Sequence, residues 1–296
     1  MNIAENTLKT KDGRCGRILF ATSVLLIFTA FYLFVPRLFD LINYGEGWSA
    51  FILSNAVSFL FKVFVAVLCF LFVKKVLRRD IGITNKNFVL GFFIYGAIML
   101  LYCVSNFFSS FPFSYQGEEV NYSLAVKLIP VYFIRCLGIG IGEEAVWRVL
   151  GVNLYVYAFG ERKGGKFLAV FIPSVIFGLA HLNNLISTPT LVYSTISQVF
   201  YATMIGFYFA VSYFKTSNVI PCILLHALFD FAYYVCRGFY PKEVLEEVIV
   251  KDTTPLGAFI NATSNIPLFI FALLLFFNVF GKLKNQRKEK EEERTE

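Results

Sequence analysis

Charge is scarce in this chain. Only 16% of its 296 residues are Asp, Glu, Lys or Arg, against 57% that are hydrophobic, so one soluble core could not hide its apolar surface and the composition demands lipid as solvent. Histidine is scarcer still: His181 and His226 are the only two, which makes the position of each informative. The six cysteines (Cys15, Cys69, Cys103, Cys136, Cys222 and Cys236) form no CxxC pair and no ladder of close spacings, which excludes a disulfide framework and a zinc knuckle. HExxH is absent, and so is GxSxG. The helical metalloprotease spacing and the serine elbow are thereby removed, and no pair of intramembrane aspartates offers an aspartic mechanism. No internal repeat is present.

Long apolar runs are what the chain has in abundance. Spanning the hydrocarbon takes roughly 20 mostly apolar helical residues, and such runs recur near 18–36, 49–73, 88–109, 134–159, 167–183, 190–213, 219–236 and 258–280. They are too long and too aliphatic for a barrel. The expectation is an all-α, polytopic helix bundle of about eight transmembrane helices, a single membrane domain over 1–296. The first run is long enough to be retained as a span and lacks a clear cleavage site. With the N-terminus inside, nineteen Lys and Arg fall on the cytoplasmic side and four (Arg37, Arg237, Lys242, Lys251) on the other. Short cytoplasmic loops are enriched in these residues, so both termini are expected in the cytoplasm. The net charge of +7 flanks apolar runs instead of lining an aromatic groove, which argues against a nucleic-acid partner. Residues 121–159 hold too many apolar positions for one span and too few for two, and Gly138, Gly140 and Gly142 within them invite close helix packing. The tail 281–296 alternates basic residues with Glu and reads as a charged cytoplasmic end. The Phe-, Lys- and Asn-rich usage points to a bacterial plasma membrane.

An ionisable side chain in a span costs a few kcal/mol on insertion scales, so it faces the bundle interior and marks function. That rule selects Glu143, Glu144 and Arg148 in the fourth run, His181 in the fifth, and His226 with Asp230 in the seventh. Both histidines of the protein are among them. Glu144 and Arg148 stand four apart and can pair on one helix face. Glu143 is turned about 100° from Glu144 on an α-helix and is left without a local partner, as suits a general base. His226 and Asp230 are also four apart, so the carboxylate can orient the imidazole. At 1.5 Å per residue Glu143, His181 and Asp230 lie about 24, 21 and 16 Å from the cytoplasmic ends of their runs, with His226 shallower at about 10 Å. Packed singly, each cluster could be a structural ion pair or a hydrogen-bonded core histidine. Together in neighbouring spans, their polar groups must satisfy one another.

Peptide hydrolysis needs an activated water, a group to hold it and donors for the developing oxyanion. Glu143 as base, His181 as the group holding the water, and His226 with Asp230 on the oxyanion side make a complete set. Zinc is the competing use, with His181, His226 and Glu143 as its ligands; the missing HExxH ranks the metal-free version ahead.

The pattern Glu143-Glu144-x-x-x-Arg148, Phe177-x-x-x-His181, His226-x-x-x-Asp230 resembles the three motifs of the CAAX prenyl protease and bacteriocin-processing (CPBP, or Abi) family. The resemblance covers about residues 130–236, and the first three spans carry no signature. It implies an eight-helix intramembrane endopeptidase with a cavity opening toward the cytoplasm. Glu143 is then the base, His181 its partner, His226 with Asp230 the oxyanion side, and Glu144, Arg148 and Phe177 the support. Asp230 stands where the eukaryotic branch, which acts on prenylated proteins, has Asn, so the resemblance implies a prenylated or a bacteriocin-like substrate without choosing between them. The expected partners are a peptide or lipidated-protein substrate and membrane lipids. A polytopic binding or bacteriocin-immunity protein using the same cavity without turnover is the rival reading. A transporter would show broken helices in paired halves, and no such symmetry is present.

Overall fold

The structure, a computed structural model, describes residues 11–45, 47–110, 122–160, 162–239, 252–279 and 281. Apart from residue 281, the expected tail lies outside them, as do Lys242 and Lys251. Every regular element among the described residues is helical. The order is α1 (Lys11–Phe34), α2 (Gly47–Lys75), α3 (Ala97–Ser110) after a π-helical turn at Leu90–Tyr95, and α4 (Tyr122–Phe159). Then follow α5 (Lys163–Ser187), α6 (Val192–Thr216), α7 (Ile220–Gly238) and α8 (Pro255–Phe276). Seven are long and apolar enough to cross a membrane, α1 being extended by a further turn, Pro36–Phe39. The third expected span is the exception, since α3 alone has 14 residues, about 21 Å at 1.5 Å per residue.

The outer surface is apolar. Val126, Leu19, Leu256 and Leu101 are each more than two-thirds exposed, while Glu144 and Arg148 are fully buried. Apolar side chains outside and charges inside are what a lipid solvent selects.

The ambiguous stretch 121–159 resolves as one continuous helix of 38 residues. At 1.5 Å per residue α4 is about 57 Å long, well beyond the roughly 30 Å of hydrocarbon, which is why its apolar residues outnumber one span. It packs against α1, α2, α5 and α7. Alternating glycines permit this: a Cβ on Gly140 would lie 2.6 Å from the Ile223 carbonyl oxygen of α7, and one on Gly142 would meet Tyr32 of α1 and Lys62 of α2. From Glu144 to Val152 the helix widens to π geometry, and all nine residues of that segment are buried. The α5–α6 pair closes the other side of the core and meets through Gly178, where any Cβ would run into Thr203 and the Val199 carbonyl.

The two ends of the bundle are built differently. At the end holding the α2–α3, α4–α5 and α6–α7 connections, the buried Asn218 amide donates to the carbonyls of Thr84 (2.7 Å) and Lys86 (2.8 Å), and Asn87 donates to the Thr216 carbonyl (2.9 Å). At the opposite end, the Asp252 carboxylate accepts from the backbone N–H groups of Tyr193 and Ser194 and from the Ser194 hydroxyl. This supplies from a distant loop the acceptors that the first turn of α6 lacks.

Candidate functional site

Glu143 is the last α-helical residue of α4 before the π segment and Glu144 the first residue within it. Glu144 has no exposure and holds two partners: its Oε2 lies 3.1 Å from Arg148 Nε, and its Oε1 lies 2.7 Å from His226 Nδ1. The Arg148 guanidinium sits over the Phe177 ring at 4.3 Å and the Phe209 ring at 5.6 Å. Its Nη1 and Nη2 groups have no hydrogen-bond partner among the described residues, and the aromatic faces take up that part of the positive charge. Phe177, the first residue of the second motif, supports the site through this contact and through an edge contact with His226 at 6.3 Å.

Glu144 pairs with Arg148 and Glu143 points elsewhere, into the cavity, as their spacing implies; what spacing does not show is that both reach His226. Glu143 Oε2 lies 3.6 Å from His226 Nε2, so the adjacent carboxylates reach opposite nitrogens of one imidazole. The ring stands between α4 and its own helix α7, and side chains that diverge around α4 converge on its two edges. Asp230 Oδ2 is also 3.8 Å from Nε2. Because a carboxylate in an ion pair accepts, His226 Nδ1 is the donor to Glu144, and Nε2 is the nitrogen facing Glu143 and Asp230. Phe209 stacks on the ring at 5.5 Å and fixes its plane.

His181 follows the regular α-helical part of α5, which ends at Ala180, where the chain tightens to a 3-10 turn. Its Nδ1 lies 3.0 Å from the Phe177 carbonyl oxygen. A carbonyl only accepts, so Nδ1 carries the proton and Nε2 is the acceptor of the neutral ring.

Glu143, His181, His226 and Asp230 all line one cavity of about 650 Å³. The remainder of its wall is uncharged and mostly polar, including Asn106, Asn184, Gln198, Tyr201 and Asn265, with Ile139 and Phe229 as apolar members. Glu144, Arg148 and Phe177 are not in that wall; they stand behind His226. Sequence reasoning did not single out Tyr32 of α1, which lies near Glu143, or Lys62 of α2, within electrostatic reach of Glu143 and Asp230. Lys62 carried a usable signal, being a cation inside an apolar run; Tyr32 carried none. As for zinc, among the described residues no three His, Cys, Asp or Glu side chains are grouped as a metal would require. His226 and His181 each spend Nδ1 on the protein, which leaves Nε2 of each as the nitrogen available to a ligand.

Fold and site together define a polytopic membrane protein with a polar, water-accessible Glu/His cluster inside its helix bundle. Residues 125–232 match the family of type II CAAX prenyl endopeptidases, Rce1-like, in agreement with the resemblance carried by the three motifs, all of which fall in that stretch. No curated protein and no solved structure matches the chain.

Proposed function

We propose that this protein is an intramembrane endopeptidase that hydrolyses peptide bonds of membrane-associated substrates with water activated by Glu143. The observation that carries the reading is the ordered set of partners around His226: Glu144 on Nδ1, Glu143 and Asp230 on Nε2. His181 Nε2 accepts one O–H of the attacking water and orients it, while the Glu143 carboxylate takes the other proton as oxygen attacks the carbonyl carbon. His226 donates from both nitrogens, to Glu144 through Nδ1 and to the developing oxyanion through Nε2, with Asp230 orienting that edge. When the C–N bond breaks, the proton held by Glu143 passes to the leaving amine. Glu144 and Arg148 act behind the ring, fixing its position and tautomer. The family match at residues 125–232 supports a peptidase over a transporter. A bundle with both termini in the cytoplasm of a bacterial plasma membrane fits the distribution of Lys and Arg.

The test is Glu143→Gln, compared with wild type on free and lipidated candidate peptides in detergent micelles. Turnover should fall by about 10²–10⁴, the usual contribution of a general base, with unchanged thermal unfolding. Full activity in that variant sinks the mechanism. Cleavage by the wild type should also survive a chelator, and loss on chelation that zinc restores would replace it with a metal mechanism. A wild type without turnover on any peptide, but with saturable peptide binding, would favour the binding or immunity reading.

A further inference from the structure

We propose that a second cavity of this protein binds the phosphate group of an anionic phospholipid. It lies at the end of the bundle that holds the α2–α3, α4–α5 and α6–α7 connections, has a volume of about 240 Å³ and shares no lining residue with the cavity of the Glu/His cluster. The proposal stands whether or not the protein is a peptidase. A close approach builds the pocket: a Cβ on Gly82, whose φ is +71°, would lie 2.8 Å from the Tyr213 ring and 2.9 Å from the Ser217 carbonyl oxygen. Glycine thus lets the α2–α3 connection lie against the end of α6, and Arg79 of that connection and Lys166 of α5 line one opening. Arg79 is half-buried and enters no ion pair among the described residues. The one carboxylate in the lining, Asp80, is exposed and accepts the backbone N–H of Gly82 at Oδ1, 3.1 Å away. The floor is neutral, because the buried Asn153 spends its amide on the Val149 carbonyl and the Tyr213 hydroxyl. Recognition is left to the cations, and a guanidinium beside an ammonium suits phosphate oxygens.

The surroundings say which phosphate. Lys166, Lys163 and Lys215 hold their ammonium groups over the rings of Phe214, Phe277 and Phe276, at 6.0, 5.6 and 6.0 Å. Aromatic faces steady cations where hydrocarbon meets water, and basic pockets between membrane helices take lipid headgroups. Depth agrees: α6 has 25 residues, about 37 Å at 1.5 Å per residue, against roughly 30 Å of hydrocarbon. Its ends therefore stand among headgroups. Beside the Lys163 contact, Phe277 and Ile270 are 41% and 50% exposed, and seven positions apart they share one side of the chain. They offer acyl chains an apolar track that a soluble phosphate would not use. Headgroups line both faces of a bilayer, so the site does not depend on which way the bundle is inserted. A lipid held here ties the α2–α3 connection to α5 and stabilises the folded bundle.

Lipid retention tests this without requiring turnover. Full-length protein in a neutral detergent is titrated with phosphatidylglycerol or phosphatidylcholine, and native mass spectrometry follows the retained lipid alongside the thermal unfolding temperature. Phosphatidylglycerol should be retained as a single equivalent and raise the unfolding temperature; phosphatidylcholine at the same concentration should do neither. Arg79→Gln and Lys166→Gln, made separately so that one folding failure leaves the other informative, should each weaken retention about fivefold. Lys74→Gln, which removes an exposed cation outside the pocket, should leave retention unchanged. Equal retention of the two lipids, or full retention in the pocket variants, overturns the proposal. So does an equal loss in Lys74→Gln, which would mean diffuse attraction to a basic surface. Soluble glycerol phosphate at the concentration of the lipid should not displace it, and displacement overturns the phospholipid as the occupant.

Discussion

The two ends of this bundle use asparagine in opposite ways. At the end holding the α2–α3, α4–α5 and α6–α7 connections, called closed because the cavity of the Glu/His cluster does not reach it, Asn218 is fully buried and spends its amide on two backbone carbonyls of the α2–α3 connection. At the open end Asn184 is exposed and reaches Gln198 across the rim at 2.8 Å, while Asn261 faces the cavity mouth. The difference lies in the backbone. Irregular chain near a membrane must have its N–H and C=O groups satisfied by something, and where a loop folds back onto helix ends side-chain amides are consumed in doing so. Where helices end around water, the amides stay available for a ligand. A closed end is thus a stability device, and an open one a recognition device.

That contrast can be broken by substitution, beginning at the network between the two ends. Arg148→Ala leaves the buried Glu144 carboxylate without its cation. Breaking a buried pair on one side costs about 3–5 kcal/mol, so a large drop in thermal unfolding temperature and loss of turnover should appear together. A variant as stable as wild type would show that Glu144 does not depend on Arg148. At the closed end, Asn218→Ala removes two part-buried hydrogen bonds, to the carbonyls of half-buried Thr84 and exposed Lys86, and should cost about 0.5–1.5 kcal/mol per bond, with peptide turnover by the surviving folded protein close to normal. A selective loss of turnover there would erase the division of labour between the ends.

The smallest effect is expected at Asp252, on the open side. Desolvation opposes ionisation, but the Ser194 hydroxyl and the backbone N–H groups of Ser194, Tyr193 and Thr253 together outweigh it and hold the carboxyl at about 2, below its ordinary 3.8. A depressed value means that the stabilisation is complete above 3.8 and is lost as pH falls through about 2. Unfolding temperature followed from pH 5 downward should lose the difference between wild type and Asp252→Asn only in that acid window. A difference that disappears near neutrality would mean that another group reports.

Much of this was legible in the chain because lipid leaves few choices. A helix must satisfy its own backbone and a charge must find a partner, so the apolar runs gave the helices, and the rare ionisable residues gave the cluster of Glu143, His181, His226 and Asp230 around one cavity. The Glu144–Arg148 pair followed from spacing within one helix. The bond from Glu144 to His226 spans 82 positions, and no local pattern encodes it; it follows from how α7 leans on α4 at Gly140. The shortness of α3 was hidden as well, because an apolar run does not announce where π and α geometry alternate. Tyr32 near Glu143 could not be foreseen, since a tyrosine in a hydrophobic span has no signature separating it from ordinary packing.

The widened turn from Glu144 to Val152 sets the phase of everything after it. A π turn accommodates a surplus residue by hydrogen bonding one position further along than an α turn. Without the wide turn, the surplus residue would swing the rest of α4 about its axis by about 100° and take Tyr155 and its contact with Thr22 of α1 off their present side; the π turn absorbs it and keeps them in place. The carboxylates and the first helix are thus timed against each other like gears sharing one shaft, and the count of residues between them is as much a part of the site as the side chains.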